Sequence, residues 1–156
     1  MRRILTSILA AALALPASGA LSASGLGARS FTGIGAGAEI ATGSNTNFNP
    51  TIGLTQGVTG LLSYYGTVEA GYRFTDPAWM ARATVEFYLL FFGLYGGIQS
   101  NTGSSSAADY GFPMGVCIGL PEPNIFVRLH LGAIAYTKSH ANEFQASLAV
   151  FYPIWR

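Results

Sequence analysis

The sequence predicts an all-β fold, an antiparallel up-and-down transmembrane β-barrel, and three observations carry that prediction. Residues 61–98 alternate apolar and polar side chains with a period of two, which is the mark of strands and not of helices. The charges on the two arms of that stretch, Glu69, Arg73, Arg82 and Glu86, all fall on the polar parity of their arm, and Asp76 lies in the turn between them. Only 10% of the 156 residues are charged while 50% are hydrophobic, whereas a soluble domain carries about a quarter charged residues. Charge so sparse and so one-sided fits a sheet whose apolar face meets lipid and whose ionic side chains point inward.

The chain begins with a separate object. Arg2 and Arg3 form a basic end, residues 4–15 an apolar run, and Pro16-Ala17-Ser18-Gly19-Ala20 a small-residue stretch. That order predicts a secretory signal peptide over residues 1–20, with a barrel domain over 21–156. The apolar run is about twelve residues long, short of the roughly twenty that a helical span needs. Arg2 and Arg3 are two of the eight Lys and Arg residues, against seven Asp and Glu. The mature chain is therefore near neutral, a balance that excludes nucleic acid as an expected partner. Cys117 has no second cysteine in the chain to pair with, and its Gly-Cys-Ile-Gly setting reads as a small apolar strand residue.

The strands follow in order. Residues 31–41 place Thr32, Ile34, Ala36, Ala38 and Ile40 on one side and glycines ending in Glu39 on the other. Within the long polar connection of residues 41–60, residues 44–49 read as a loop and residues 50–60 are ambiguous: Ile52, Leu54 and Val58 alternate with polar positions, but Gly53, Gly57 and Gly60 weaken a strand. Then comes the hairpin. Leu62, Tyr64, Val68, Ala70, Tyr72 and Phe74 face outward in its first arm, and Ala81, Ala83, Val85, Phe87, Leu89, Phe91 and Tyr95 in its second, about a tight turn at Thr75-Asp76-Pro77.

Residues 99–110 are polar and rich in serine and glycine, which predicts a loop in water. Phe112, Met114, Val116, Ile118 and Leu120 alternate next, until Pro121-Glu122-Pro123-Asn124 forces a turn. Ile125, Val127, Leu129, Leu131, Ala133 and Ala135 then face outward with Arg128 and His130 inward. A last strand carries Phe144, Ala146, Leu148, Val150 and Tyr152 outward with Gln145 and Ser147 inward. Six strands are clear, and closure requires about eight. Residues 51–60 and a piece of the N-terminal region would supply the rest in a closed eight-stranded barrel, the favoured reading, or another copy would complete the sheet. The tight turns at 75–78 and 121–124 are expected on one periplasmic rim together with both chain ends, and the longer connections on the other.

With these features the chain resembles the small outer-membrane β-barrels of Gram-negative-type bacteria, the OmpA/OmpX/OmpW-like class. The resemblance covers residues 29–155 and rests on the alternation, the rim asymmetry and aromatics such as Tyr72, Phe74 and Trp79 near a turn. It implies residence in the bacterial outer membrane, with outer-membrane lipid as the first partner. Two features depart from the class: Arg156 follows Trp155 at the chain end, where an aromatic residue is usual, and Pro153 interrupts the last strand.

The interior is expected to hold a charge network of Glu39, Glu69, Arg73, Arg82, Glu86 and Arg128, with His130 beside it, because a charge removed from water is tolerated only when paired. Such a lumen predicts a structural or surface-interaction role, with polar loops available to a surface ligand. A narrow passage for small solutes or ions is the alternative, opposed by the ability of an eight-stranded barrel to fill itself with side chains. A barrel lipid hydrolase built on Ser139, His140 and Glu143 ranks third, since neighbouring residues on an extended strand diverge and a nucleophile needs its base within hydrogen-bond reach. Gly33-Ile34-Gly35-Ala36-Gly37-Ala38 matches a dinucleotide fingerprint only in letters, because the glycines lie inside an alternating strand. Small residues that make room for the arginines explain them. No catalytic, cofactor-binding or metal-binding residues are expected, and His130 has no second ligand at a metal spacing.

Overall fold

In the computed structural model, which describes residues 29–103, 109–121, 124–137 and 142–155, the alternating segments form eight strands and close into a barrel. They are β1 (Arg29–Thr42), β2 (Thr46–Thr59), β3 (Leu62–Arg73), β4 (Ala78–Leu89), β5 (Phe92–Gly103), β6 (Asp109–Pro121), β7 (Phe126–Tyr136) and β8 (Glu143–Trp155). Each strand pairs antiparallel with its neighbours in the sequence, and β1 pairs with β8 to complete the circle. In the β3–β4 hairpin Leu62 lies opposite Leu89 and Arg73 opposite Ala78. Closure pairs every strand on both sides and leaves no edge for another chain to join.

The two strands that complete the eight come from inside the sequence. β2 takes in most of the expected loop at 44–49 and resolves the ambiguous stretch 50–60 as strand, its alternation diluted by Pro50 and by inward Gly53 and Gly57. The long second arm of the hairpin breaks at Leu90 and Phe91, so β4 and β5 are separate strands joined by a two-residue turn. Gln99, Ser100, Asn101 and Thr102 belong to β5 and not to a loop. The break also resets the parity: Tyr95, expected outward with Phe91, points into the lumen and is buried.

One rim, here the terminal rim, carries the start of β1, the end of β8, the turns at Gly60–Leu61 and Leu90–Phe91, and the junction from β6 to β7. The opposite loop rim carries the turns at 43–45 and 74–77 and the junctions from β5 to β6 and from β7 to β8. The turn at Thr75-Asp76-Pro77 therefore lies on the rim opposite Pro121, and the expectation that both share the short rim is corrected by the extra strand crossings. Tyr72, Phe74 and Trp79 form an outward ring cluster near the loop rim, with Tyr72 within 5.3 Å of Phe74 and 5.2 Å of Trp79 between centroids. Pro153 does not end β8; the register shifts between Thr32 and Gly33, so that Gly33 faces Pro153 and Thr32 faces Trp155. Proline is tolerated at such an irregularity because the ladder is already disrupted.

Side-chain size is matched across the inner face. Bulky inward residues lie over glycines of the adjacent strand: Tyr65 over Gly57, Phe151 over Gly35, and Glu69 over Gly53, while Tyr95 reaches Gly132. A Cβ at Gly35 would stand 2.5 Å from the Phe151 ring, and one at Gly53 2.8 Å from Glu69 Cγ. The β1 glycines thus do not make room for arginines as their sequence setting suggests: Gly33 abuts the Phe31 ring, Gly35 the Phe151 ring, and Gly37 lies against Ala149. A narrow barrel fills its interior in this way, large against small.

Candidate functional site

The polar parity of every strand meets in the lumen, and the lumen is layered. Strand register places Glu69 of β3 opposite Arg82 of β4, and Glu39 of β1 opposite Asn49 of β2. Long side chains then span the interior. Arg82 pairs with Glu39 and donates to Glu69 Oε2 through Nε at 3.0 Å and Nη2 at 2.9 Å. Arg128 of β7 donates to Glu69 Oε1 at 2.6 Å and to Glu86 Oε1 at 2.8 Å. The result is one unbroken chain, Glu39–Arg82–Glu69–Arg128–Glu86, with every member buried.

Neutral donors complete the carboxylates. Asn49 donates to Glu39 at 2.8 Å, Tyr88 to Glu86 at 2.6 Å, and Thr67 to Glu86 at 3.2 Å. His130 lies with Nε2 3.5 Å from Glu86 Oε1, its ring stacked on Tyr95 at 3.9 Å and nearly parallel. Ionic groups withdrawn from water hold only if paired and hydrogen-bonded, and two arginines shared among three carboxylates achieve that through geometry.

Six of the residues expected in the network, Glu39, Glu69, Arg82, Glu86, Arg128 and His130, meet in this middle layer. Arg73 does not. It lies nearer the loop rim, where its guanidinium donates to both oxygens of Glu143, at 2.9 and 2.5 Å, and to Tyr136 at 2.8 Å. Tyr136 donates to Glu143 at 2.8 Å, and Gln99 and Asn101 reach the same hydroxyl. Asp76 in the adjoining turn accepts from Asn47 at 2.9 Å and Asn45 at 3.3 Å, which ties the β3–β4 turn to the start of β2.

Below the ionic layer, toward the terminal rim, the lumen is closed by rings. Tyr65 stacks on Phe126 at 4.5 Å, and Phe31, Tyr88 and Phe151 pack around Phe126 within 6.3 Å. Arg128 joins the layers, its guanidinium carbon 5.1 Å from the Phe151 ring centre. Cys117 is inward and buried in this region as a free thiol. Alternation alone does not reveal the aromatic floor as a unit, although it carries a signal: Tyr65, Tyr88, Phe126 and Phe151 are aromatics on the parity that otherwise holds polar residues.

Ser139 and His140 lie outside the described residues, as do residues 1–20 with the expected signal peptide. Glu143 is a buried strand residue locked by Arg73 and Tyr136. Among the described residues no group of three His, Cys, Asp or Glu side chains is placed to hold a metal ion.

A closed eight-stranded antiparallel meander with an ionic interior and an apolar exterior is the architecture of the small outer-membrane β-barrels. Among solved structures the chain is similar to Neisserial surface protein A (NspA), with a TM-score of 0.52 at 12% identity, over 81% of this chain and 98% of that one. At that identity the likeness is one of fold. No family model and no curated protein matches the chain.

Proposed function

We propose that the protein is a bacterial outer-membrane barrel with a structural or surface-interaction role, its lumen a self-filled plug and its loop rim the surface offered to partners. One observation carries this reading: the molecule is inverted relative to a soluble domain. Glu39, Glu86 and Arg128 are 0% exposed, while Trp79 and Leu94 on the outside are 68% and 67% exposed. An exterior of this kind is stable only against acyl chains, because in water it would form a continuous aggregation-prone patch.

Three further features support a non-catalytic, non-conducting role. The paired charges and the ring floor occupy the cross-section of the barrel in succession, leaving the interior to side chains. Glu143, the carboxylate of the third-ranked hydrolytic reading, is held by an arginine and is not free to orient a histidine. The similar fold belongs to a protein named as a surface protein.

Detergent extraction of membranes followed by electrophoresis with and without boiling tests the barrel. A folded barrel migrates differently before heating; a single unchanged band from the membrane fraction, or recovery without detergent, overturns the reading. Lipid-hydrolysis assays in mixed micelles are expected to give the same background for the natural protein and for Ser139→Ala. Turnover abolished by that substitution would make the protein an enzyme.

A further inference from the structure

We propose that the β2–β3 and β4–β5 turns at the terminal rim are inserted among lipid acyl chains, so that the barrel sits deeper in the bilayer on the β3–β5 side than on the β8–β1 side. This rests on the membrane reading above. A two-residue hairpin turn with a positive φ ordinarily takes Gly, Asn or Asp, which tolerate that conformation. Here the first turn residue is Leu90 with a φ of 59°. A leucine is held where the backbone disfavours it, and what the position gains is therefore a side chain, not a conformation.

That side chain has company. Leu61, Leu62, Leu89, Leu90, Phe91 and Phe92 are all exposed and form one lip. The two turns are fixed side by side: Leu90 N donates to Leu61 O at 3.0 Å, and Phe91 O accepts from Gly119 N at 2.8 Å. The loop rim is built differently, with Ser44, Asn45 and Asp76 at its turns. On the far side of the terminal rim the exposed surface is mixed, with Arg29 and Ser30 at the start of β1 beside Ile154 near the end of β8, so that charge and hydroxyl interrupt the apolar band there.

Continuity identifies lipid as the occupant. The outward residues of β4 are Trp79, Ala81, Ala83, Val85, Phe87 and Leu89, and no polar side chain separates this face from the turn. From Trp79 to Leu89, strand rise and a tilt of about 40° give ~25 Å along the barrel axis, the full height of the apolar band in such barrels. Aromatic girdles flank the apolar band instead of lying inside it, so with the Tyr72 and Trp79 rings in the upper girdle a band of that height starts below Trp79 and extends past Leu89 to the turn. A water-exposed β4–β5 turn would need a polar margin that the outward face of β4 does not supply, and the β2–β3 turn is held beside it although β2 carries an outward Gln56 higher up.

Nitroxide labels test this in the full-length protein, with Cys117→Ala as background, reconstituted in phosphatidylcholine–phosphatidylglycerol vesicles. Labels at Leu90→Cys and Leu61→Cys are expected to collide several-fold more with oxygen than with a water-soluble nickel chelate. Phe87→Cys serves as the lipid reference and Ser44→Cys as the aqueous one. Nickel collisions at 90 and 61 equal to those at 44, with 87 still lipid-like, overturn the insertion alone; aqueous behaviour at 87 as well overturns the membrane reading. Dipolar broadening at 90 that disappears on dilution with unlabelled protein assigns the lip to a second copy and also overturns the proposal. Heat-modifiable migration of each variant verifies folding, and Phe91→Cys replaces Leu90→Cys if the latter fails it.

Discussion

Glu69 is the residue on which the interior converges. Its two oxygens accept from arginines on different walls, Arg82 on the adjacent strand and Arg128 of β7. Glu69→Gln keeps the shape and removes the charge that both guanidinium groups share. Arg82 retains Glu39 and Arg128 retains Glu86, so the loss falls at the lower end of the range for breaking a buried pair, about 3 kcal/mol. Urea titration in lipid vesicles, followed by tryptophan fluorescence, measures it. Asp76 is the contrasting case: it stands 3.8 Å from Arg73 and is nearly half exposed. Asp76→Asn is expected to change stability by less than about 1 kcal/mol in the same titration. The inward parity of these residues is legible in the sequence, because period-two alternation fixes which side each occupies. Their partners are not: Arg128 reaches Glu69 across 59 residues and Arg73 reaches Glu143 across 70, separations set by barrel closure.

At the level of the strands, the inner face is written as large against small. Gly35→Leu would drive a side chain into Phe151 and the Val150 carbonyl, where even a Cβ would overlap the oxygen. The expected penalty is about 2–3 kcal/mol, with slower refolding into vesicles. Gly96 faces outward, and a methyl group added there would meet no atom within 4 Å, so Gly96→Ala is expected to be neutral or to stabilise by up to about 1 kcal/mol. Equal destabilisation by the two substitutions would refute the packing argument. The same composition explains what the sequence hides. Most of β2 is ambiguous in the sequence because Pro50, Gly53 and Gly57 suppress strand propensity, although each fits: Pro50 faces outward, and the glycines underlie Glu69 and Tyr65. The β4–β5 turn is invisible because Leu90 and Phe91 lack the turn residues by which hairpins are recognised, and without that reversal alternation assigns Tyr95 to the wrong face.

For the molecule as a whole, the ring floor and the ionic layer act in series as a stopper. Planar-bilayer recording of the natural protein is expected to show no steady conductance. Removing the central ring by Phe126→Ala, whose side chain contacts Tyr65, Tyr88, Phe31 and Phe151, opens the floor but leaves the Arg82 and Arg128 bridges in place. Phe126→Ala is therefore still expected to be silent, and a conductance in the natural protein would favour the solute-passage alternative.

The β1–β8 contact has a kinetic corollary. Seven of the eight ladders join chain neighbours and can zip from a local reversal, but Ala36 must find Val150 from the other end of the polypeptide. That late encounter carries the greatest loop entropy and finishes at an imperfect rung, where the register slips beside Pro153. Val150→Pro, which deletes an amide donor from β8, should stall maturation as an open-sided sheet, seen as delayed appearance of the fast-migrating band. Birth of the cylinder is thus governed by its last stitch.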